Sequence, residues 1–280
     1  MKSLSPAFVH KHLARKSWRN TIAGWRLTQP MQPYDWLMAS WLVAMISIPI
    51  LSWVIGDTVL PWGVMVTVLL LVASVLGVLL RVWGAVRTLR MTTIVLPIAW
   101  LIEWLGSTTG IPFGQYHYTS LLQPQLGHVP LLIPLAWLMM LPPAWAIAAV
   151  ITQGRGRVAF ILVSALAFTA WDFFLDPQMV NWGYWVWVES SANASTYFGI
   201  PWVNFLGWAL SAALLTALAQ PRQIPLQPLV TIYVITWILQ TIGQLCFWQM
   251  PGPALTGFVT MGLLIGWAWV RREKWQRIRG

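Results

Sequence analysis

Long apolar runs follow one another along most of this chain, interrupted only by short polar breaks. They fall at about 36–55, 60–80, 91–106, 130–151, 157–176, 201–219, 229–248 and 254–270. A helix needs roughly 20 apolar residues to cross the hydrocarbon core of a bilayer. The pattern therefore predicts about eight transmembrane helices, the third being the shortest and carrying Glu103. The expected fold class is all-α, a polytopic integral membrane helical bundle.

The polar breaks give this bundle an orientation. Arg81, Arg87 and Arg90, then Arg155 and Arg157, then Arg222, and finally Arg271, Arg272, Lys274, Arg277 and Arg279 occupy alternate breaks. The intervening loops, near 56–60, 107–129, 177–200 and 249–253, contain neither Lys nor Arg. Basic residues stay in cytoplasmic loops, so both termini are expected to be cytoplasmic. Residues 1–35 form a basic arm without the apolar core of a signal peptide, and are expected to stay on the mature protein. Within the arm, Trp18, Ile22 and Trp25 fall at the spacing of an interfacial helix, although a basic tail fits as well. One transmembrane domain, 36–270, and a basic cytoplasmic tail, 271–280, complete the chain.

Composition narrows the class further. With 58% hydrophobic and 9% charged residues, the chain departs from soluble domains, in which about a quarter of residues are charged. The net charge of +10 sits at the chain ends and between apolar runs, which suits anionic lipid headgroups and not nucleic acid. The single cysteine, Cys246, lies in an apolar run and forms no intrachain disulfide. Many of the 22 tryptophans, Trp36, Trp53 and Trp62 among them, fit an aromatic belt at the membrane interfaces.

The candidate chemistry stands out against this apolar ground. Asp172 and Asp176 lie in WDFFLDP at 171–177, and Glu103 lies in WLIEWLG, all near the outer ends of their spans. Ionisable groups at membrane depth cost roughly 2.5 to 3.5 kcal/mol on insertion scales, so they face a cavity or a partner and mark function. The i, i+4 spacing puts the aspartates on one helix face, and Pro177 directly after Asp176 places them in the last turn. There the helix dipole, mutual repulsion and loss of water oppose a second charge, leaving one carboxyl its proton, as a general acid requires. The plainer alternative is capping of the span by bonds to Trp and backbone donors.

The two long outer loops, 107–129 and 177–200, repeat a phrase, GIPF at 110–113 and GIPW at 199–202. Trp171, Trp182, Tyr184, Trp185, Trp187, Tyr197 and Trp202 crowd around the acids in sequence, and such rings can line an apolar slot and stabilise a cation. His117 and His128 lack metal-ligand spacing, so no metal site is assigned. Three other functions fit parts of the pattern. The acids would serve as a proton relay in a proton-coupled transporter. A D-x-x-x-D pair would hold Mg²⁺ in a membrane prenyltransferase, although the outer loops offer no basic residue for a diphosphate. A structural protein would bind pigment through its aromatics alone.

EWLGSTTGIPFGQYHY at 103–118, WDFFLDP at 171–177, Trp185 and Trp187 as W-x-W, and YFGIPWVNFLGW at 197–208 resemble the signatures of the CruF-type carotenoid 1,2-hydratase family. The resemblance is close over about 90–210 and loose over the rest. It implies addition of water across the terminal 1,2 double bond of an acyclic ψ end group, as in lycopene or γ-carotene, to give a tertiary 1-hydroxy group. No redox cofactor is called for. What is needed is an acid for C2, surroundings that tolerate a cation at C1, and a polarised water.

On this resemblance Asp172 donates the proton, Asp176 or Glu103 positions and deprotonates the water, and Trp171, Tyr116, Trp185 and Trp202 enclose the cation. His117, Trp187, Tyr197 and Asn204 complete the substrate site, which makes 36–270 the catalytic domain. The expected partners are a lipid-dissolved carotenoid, membrane lipid and carotenoid-pathway enzymes. The expected setting is a bacterial plasma membrane or an internal photosynthetic membrane.

Overall fold

In the computed structural model, residues 32–188 and 196–277 are described, with side chains to Arg272. The basic arm with Trp18, Ile22 and Trp25 lies outside the described residues. Seven helices among the described residues are long and apolar enough to cross a bilayer. They are α1 (Pro33–Ile55), α2 (Leu60–Thr109), α3 (Leu132–Thr152), α4 (Arg157–Asn181), α5 (Trp202–Ala219), α6 (Leu226–Cys246) and α7 (Pro251–Arg277). The chain is an all-α polytopic integral membrane protein. Leu166, Leu206, Leu210, Leu255 and Leu263 are exposed on its outer surface, where hydrocarbon replaces water.

Helix α2 joins the second and third expected spans in 50 residues, which at about 1.5 Å per residue is more than twice a bilayer core. It breaks at Gly84, whose φ of 75° and ψ of 173° lie outside any helical region. The arms on either side, 60–83 and 85–109, fold back on each other. Val64 and Leu71 of the first arm meet Ile133 and Ala136 of α3 around one cavity, and Glu103 of the second arm meets the same two residues around another. At the opposite end, Trp83 Nε1 donates to the Gln223 carbonyl at 3.1 Å and Arg87 to Gln223 Oε1 at 2.9 Å.

Helix α3 is the centre of the bundle. Every residue from Trp137 to Ala149 is buried, which matches an all-round apolar sequence. Three short antiparallel ribbons lie among the described residues of the two long loops. β1 (Tyr116–Tyr118) pairs with β4 (Trp185–Trp187), β2 (Gln125–Leu126) with β3 (Val129–Pro130), and β5 (Thr196–Tyr197) with β6 (Ile200–Pro201). The first ribbon ties the two long outer loops together. The repeated phrases each begin on a left-handed glycine, Gly110 at φ 79° and Gly199 at φ 85°, a conformation that side chains with a Cβ rarely adopt.

Helix α4 does not stop at Pro177, as its sequence suggests, but runs on to Asn181. Proline removes the N–H that would reach the carbonyl four residues back, here that of Phe173. The hydroxyl of Tyr197 donates to that carbonyl at 3.1 Å, and Gln244 Nε2 donates to the neighbouring Phe174 carbonyl at 2.7 Å. Outside donors thus carry the helix past the proline, so Asp172 and Asp176 lie within the helix and not in its final turn.

Candidate active site

Alternation along the β1–β4 ribbon decides which side chains point inward, because neighbours on a strand face opposite sides. Tyr116 and Tyr118 lie opposite Trp187 and Trp185, while His117 pairs with Val186. Tyr116 and Trp185 are buried, and His117 and Val186 are exposed. Beneath the ribbon is a pocket of about 30 Å³ lined by Glu103, Tyr116, Tyr118, Trp137, Asp176, Trp185, Trp187, Asn204 and Trp208, with Phe113, Ile133, Ala136 and Leu175. Its wall contains no Lys or Arg.

The three acids are held differently. Glu103 receives the hydroxyls of Tyr116 and Tyr118 on Oε2, at 2.6 and 2.7 Å, and Trp137 Nε1 on Oε1 at 2.8 Å. Asp176 receives Trp185 Nε1 on Oδ1 at 2.6 Å and the Asn204 amide on Oδ2. The same amide donates to Asp172 Oδ2 at 3.1 Å, so Asn204 of α5 clamps the aspartates of α4 together. Asp172 is 0% exposed, and its Oδ1 has no hydrogen-bond partner among the described residues. Burial and the adjacent Glu103 push the hydroxyls of Tyr116 and Tyr118 well above the usual phenol range. Both therefore remain donors through neutral pH.

Aromatic faces line the rest of the pocket. Trp208 stacks on Trp137 at 4.8 Å, and Tyr116 lies 5.1 Å from Trp187. Phe113 is seated between Gly106 and Gly207, where an added Cβ would come within 2.5 and 2.7 Å of its ring. Not every expected residue gathers here. Trp171 lines an adjoining cavity, which Trp185 shares. Trp202 is 46% exposed and packs with Phe173, Tyr197 and Phe205 in a separate cluster. Tyr197 spends its hydroxyl on the Phe173 carbonyl. His117 points away, and His128 bonds Ser107 at 2.8 Å.

Conversely, Tyr118, Trp137, Trp208 and Phe113 join the pocket without having been singled out. Trp137 had a usable signal. An indole placed several residues inside a span needs a partner at membrane depth, and an acid is the strongest acceptor available there.

A family model for carotenoid biosynthesis proteins matches residues 63–265, from the first arm of α2 into α7. The chain belongs to this family. The match includes every residue of the pocket. The chain is also similar to the bisanhydrobacterioruberin hydratase of Haloarcula japonica (strain ATCC 49778 / DSM 6131 / JCM 7785 / NBRC 101032 / NCIMB 13157 / TR-1), 31% identical over 115 residues. That alignment takes in 40% of this chain and 38% of that protein, so the chain spans less than two fifths of that relative's length. No solved structure matches. In this member of the carotenoid biosynthesis family, Glu103 and Asp176 meet an aromatic wall at one end of the bundle, and Asp172, which does not line the pocket, is buried behind it and joined to Asp176 through Asn204.

Proposed function

We propose that the protein is a carotenoid hydratase that adds water across the terminal 1,2 double bond of an acyclic ψ end group, giving a tertiary 1-hydroxy carotenoid. The observation that carries this reading is the uneven satisfaction of the three acids. Among the described residues, five of their six carboxylate oxygens face an N–H or O–H donor, and Asp172 Oδ1 faces none. Protonation weakens an oxygen as an acceptor of the bonds it already receives, whereas a proton on Asp172 Oδ1 disturbs none. Asp172 Oδ1 is thus the position that can carry and release a proton.

The reaction balances with these groups. Asp172 gives its proton to C2, the π electrons of the double bond form the new C–H bond, and a tertiary cation is left at C1. The faces of Tyr116, Trp185, Trp187 and Trp208 stabilise that charge through their quadrupoles. A water held by Asp176 or Glu103 adds through oxygen to C1 and loses a proton to that carboxylate, and return of the proton to Asp172 completes the cycle. Glu103, braced by three donors, suits fixed acceptance of charge. Asp176 lies on the pocket wall beside Asp172 and suits the water. All the atoms added to the substrate are those of water.

The test is expression in a bacterium that accumulates lycopene, with mass spectrometry of the extracted pigments. A gain of one water with unchanged visible absorption is expected, since the 1,2 bond is isolated from the chromophore. If neither lycopene nor γ-carotene gains water while the protein is present in the membrane, the hydratase reading fails.

A further inference from the structure

A second cavity, of about 100 Å³, lies beside the carboxylate pocket and shares Ile133, Ala136, Leu175 and Trp185 with it. Most of its wall is apolar, including Trp41, Val68, Leu71, Met140 and Met179. One side is not. Thr236 and Gln240, one turn apart on α6, and Trp171 of α4 also line it. These residues are 4%, 8% and 2% exposed, yet Thr236 Oγ1, Gln240 Oε1 and Trp171 Nε1 have no hydrogen-bond partner among the described residues.

Two neighbouring polar side chains on α6 do donate to α4, although Gln244 Oε1 also has no hydrogen-bond partner among the described residues. Tyr233 donates to the Ala167 carbonyl at 2.8 Å, and Gln244 to the Phe174 carbonyl at 2.7 Å. A buried polar atom without a partner carries an uncompensated loss of hydration, and the bilayer core offers no solvent to relieve it. With Trp248 Nε1, which also lines the cavity and has no partner among the described residues, four such atoms surround it, and an indole donor, a hydroxyl and an amide acceptor among them are the complement of a hydroxyl group, which both accepts and donates.

We propose that this cavity is a hydroxyl-reading site for the methyl-branched end of an isoprenoid chain. Its apolar wall takes the hydrocarbon, Trp171 N–H donates to the hydroxyl oxygen, and Thr236 or Gln240 accepts the hydroxyl proton. The hydroxyl belongs either to the tertiary alcohol formed in the neighbouring pocket or to the water that will be added there, and the assignment of these two sources rests on the hydratase reading. A site that holds the hydroxyl of the alcohol would draw product away from Asp172. One that holds water would store the co-substrate next to the acids.

The experiment uses full-length protein in phosphatidylcholine nanodiscs and a 1-hydroxy acyclic carotenoid beside the corresponding hydrocarbon, with binding read by quenching of tryptophan fluorescence. Wild-type protein is expected to bind the alcohol about fivefold to tenfold more tightly than the hydrocarbon, the scale of one hydrogen bond. Thr236→Val combined with Gln240→Leu removes that preference and leaves hydrocarbon binding unchanged. Thr236→Val alone, a smaller change, lowers it partially and serves if the pair does not fold.

Equal binding of alcohol and hydrocarbon by wild type, together with at least tenfold slower hydration by the double variant at unchanged KM, assigns the hydroxyl to water. Equal binding with unchanged hydration overturns the proposal. Failure of the hydratase reading is seen separately, because the binding comparison requires no turnover and Asp172→Asn is expected to keep the alcohol preference.

Discussion

Asp172 and Asp176 are alike in residue type and helix face, and their partners separate them. Asp176 has donors on both oxygens, whereas Asp172 Oδ1 has none among the described residues. Asp172→Asn is expected to lower hydration at least about 100-fold, the lower end of what a positioned acid contributes, while the protein still folds. Asp176→Asn should lower it less, because Glu103 remains to position water. A larger loss from Asp176→Asn than from Asp172→Asn, measured as product per membrane-inserted protein, would reverse the two roles. The tyrosines on Glu103 yield a prediction in pH. Their hydroxyls lose protons at higher pH in the folded protein than in the unfolded chain, whose phenols titrate near about 10. Above that value the unfolded state binds fewer protons than the folded one, so stability is retained below about pH 10 and falls as pH rises beyond it. Thermal unfolding in detergent across that range should display the fall, and it should be shallower in Tyr116→Phe.

At the scale of elements, two devices hold the pocket in shape. Phe113 is wedged between α2 and α5, and a Cβ at Gly207 would lie 2.7 Å from both its ring and the Pro112 carbonyl. Backbone cannot yield as a flexible side chain can, so Gly207→Ala is expected to cost about 1 to 3 kcal/mol of stability, read as a lowered unfolding temperature. The other device is the continuation of α4 through Pro177. Tyr197→Phe leaves the Phe173 carbonyl without its outside donor and should cost about 1 kcal/mol, with hydration reduced only so far as Asp176 shifts. Sequence periodicity located α3, α5 and α6 within a few residues, because apolar runs and their polar ends are local signals, whereas α7 runs to Arg277, into the stretch expected to be a tail. The continuation of α4 was hidden, since it depends on Tyr197 and Gln244 arriving from distant parts of the chain. The candidate pocket was legible in Glu103 and Asp176, whose rarity in an apolar chain marks them, and in Tyr116, Trp185, Trp187 and Asn204. Trp202 and Tyr197 lie close to the acids in sequence, but strand and helix geometry send them to another cluster.

For the molecule as a whole, the remaining question is how many times the chain crosses the bilayer. Counted as unbroken helices, seven crossings would place the termini on opposite sides. Gly84 argues for eight, since both far ends of α2 approach the same stretch of α3 while Trp83 and Arg87 at the break meet Gln223 at the opposite end. Arg81, Arg87 and Arg90 flank this break, and Arg222 lies beside Gln223, so one end of the bundle collects basic residues while the carboxylate pocket lies at the other. Basic residues remain on the cytoplasmic side, so we propose that the pocket lies toward the outer leaflet and both termini lie inside. Cysteine mapping tests this directly, because Cys246 is the single native thiol and Cys246→Ser clears the background. In that background, Thr58→Cys and Gln123→Cys should react with a membrane-impermeant maleimide added to intact cells, whereas Gln153→Cys and Gln223→Cys should react only after permeabilisation. If Gln223→Cys were labelled in intact cells while Gln153→Cys stayed protected, the reversal at Gly84 would not be a cytoplasmic turn. The carboxylate pocket would then lose its assigned leaflet, although the contacts that build it would be unaffected.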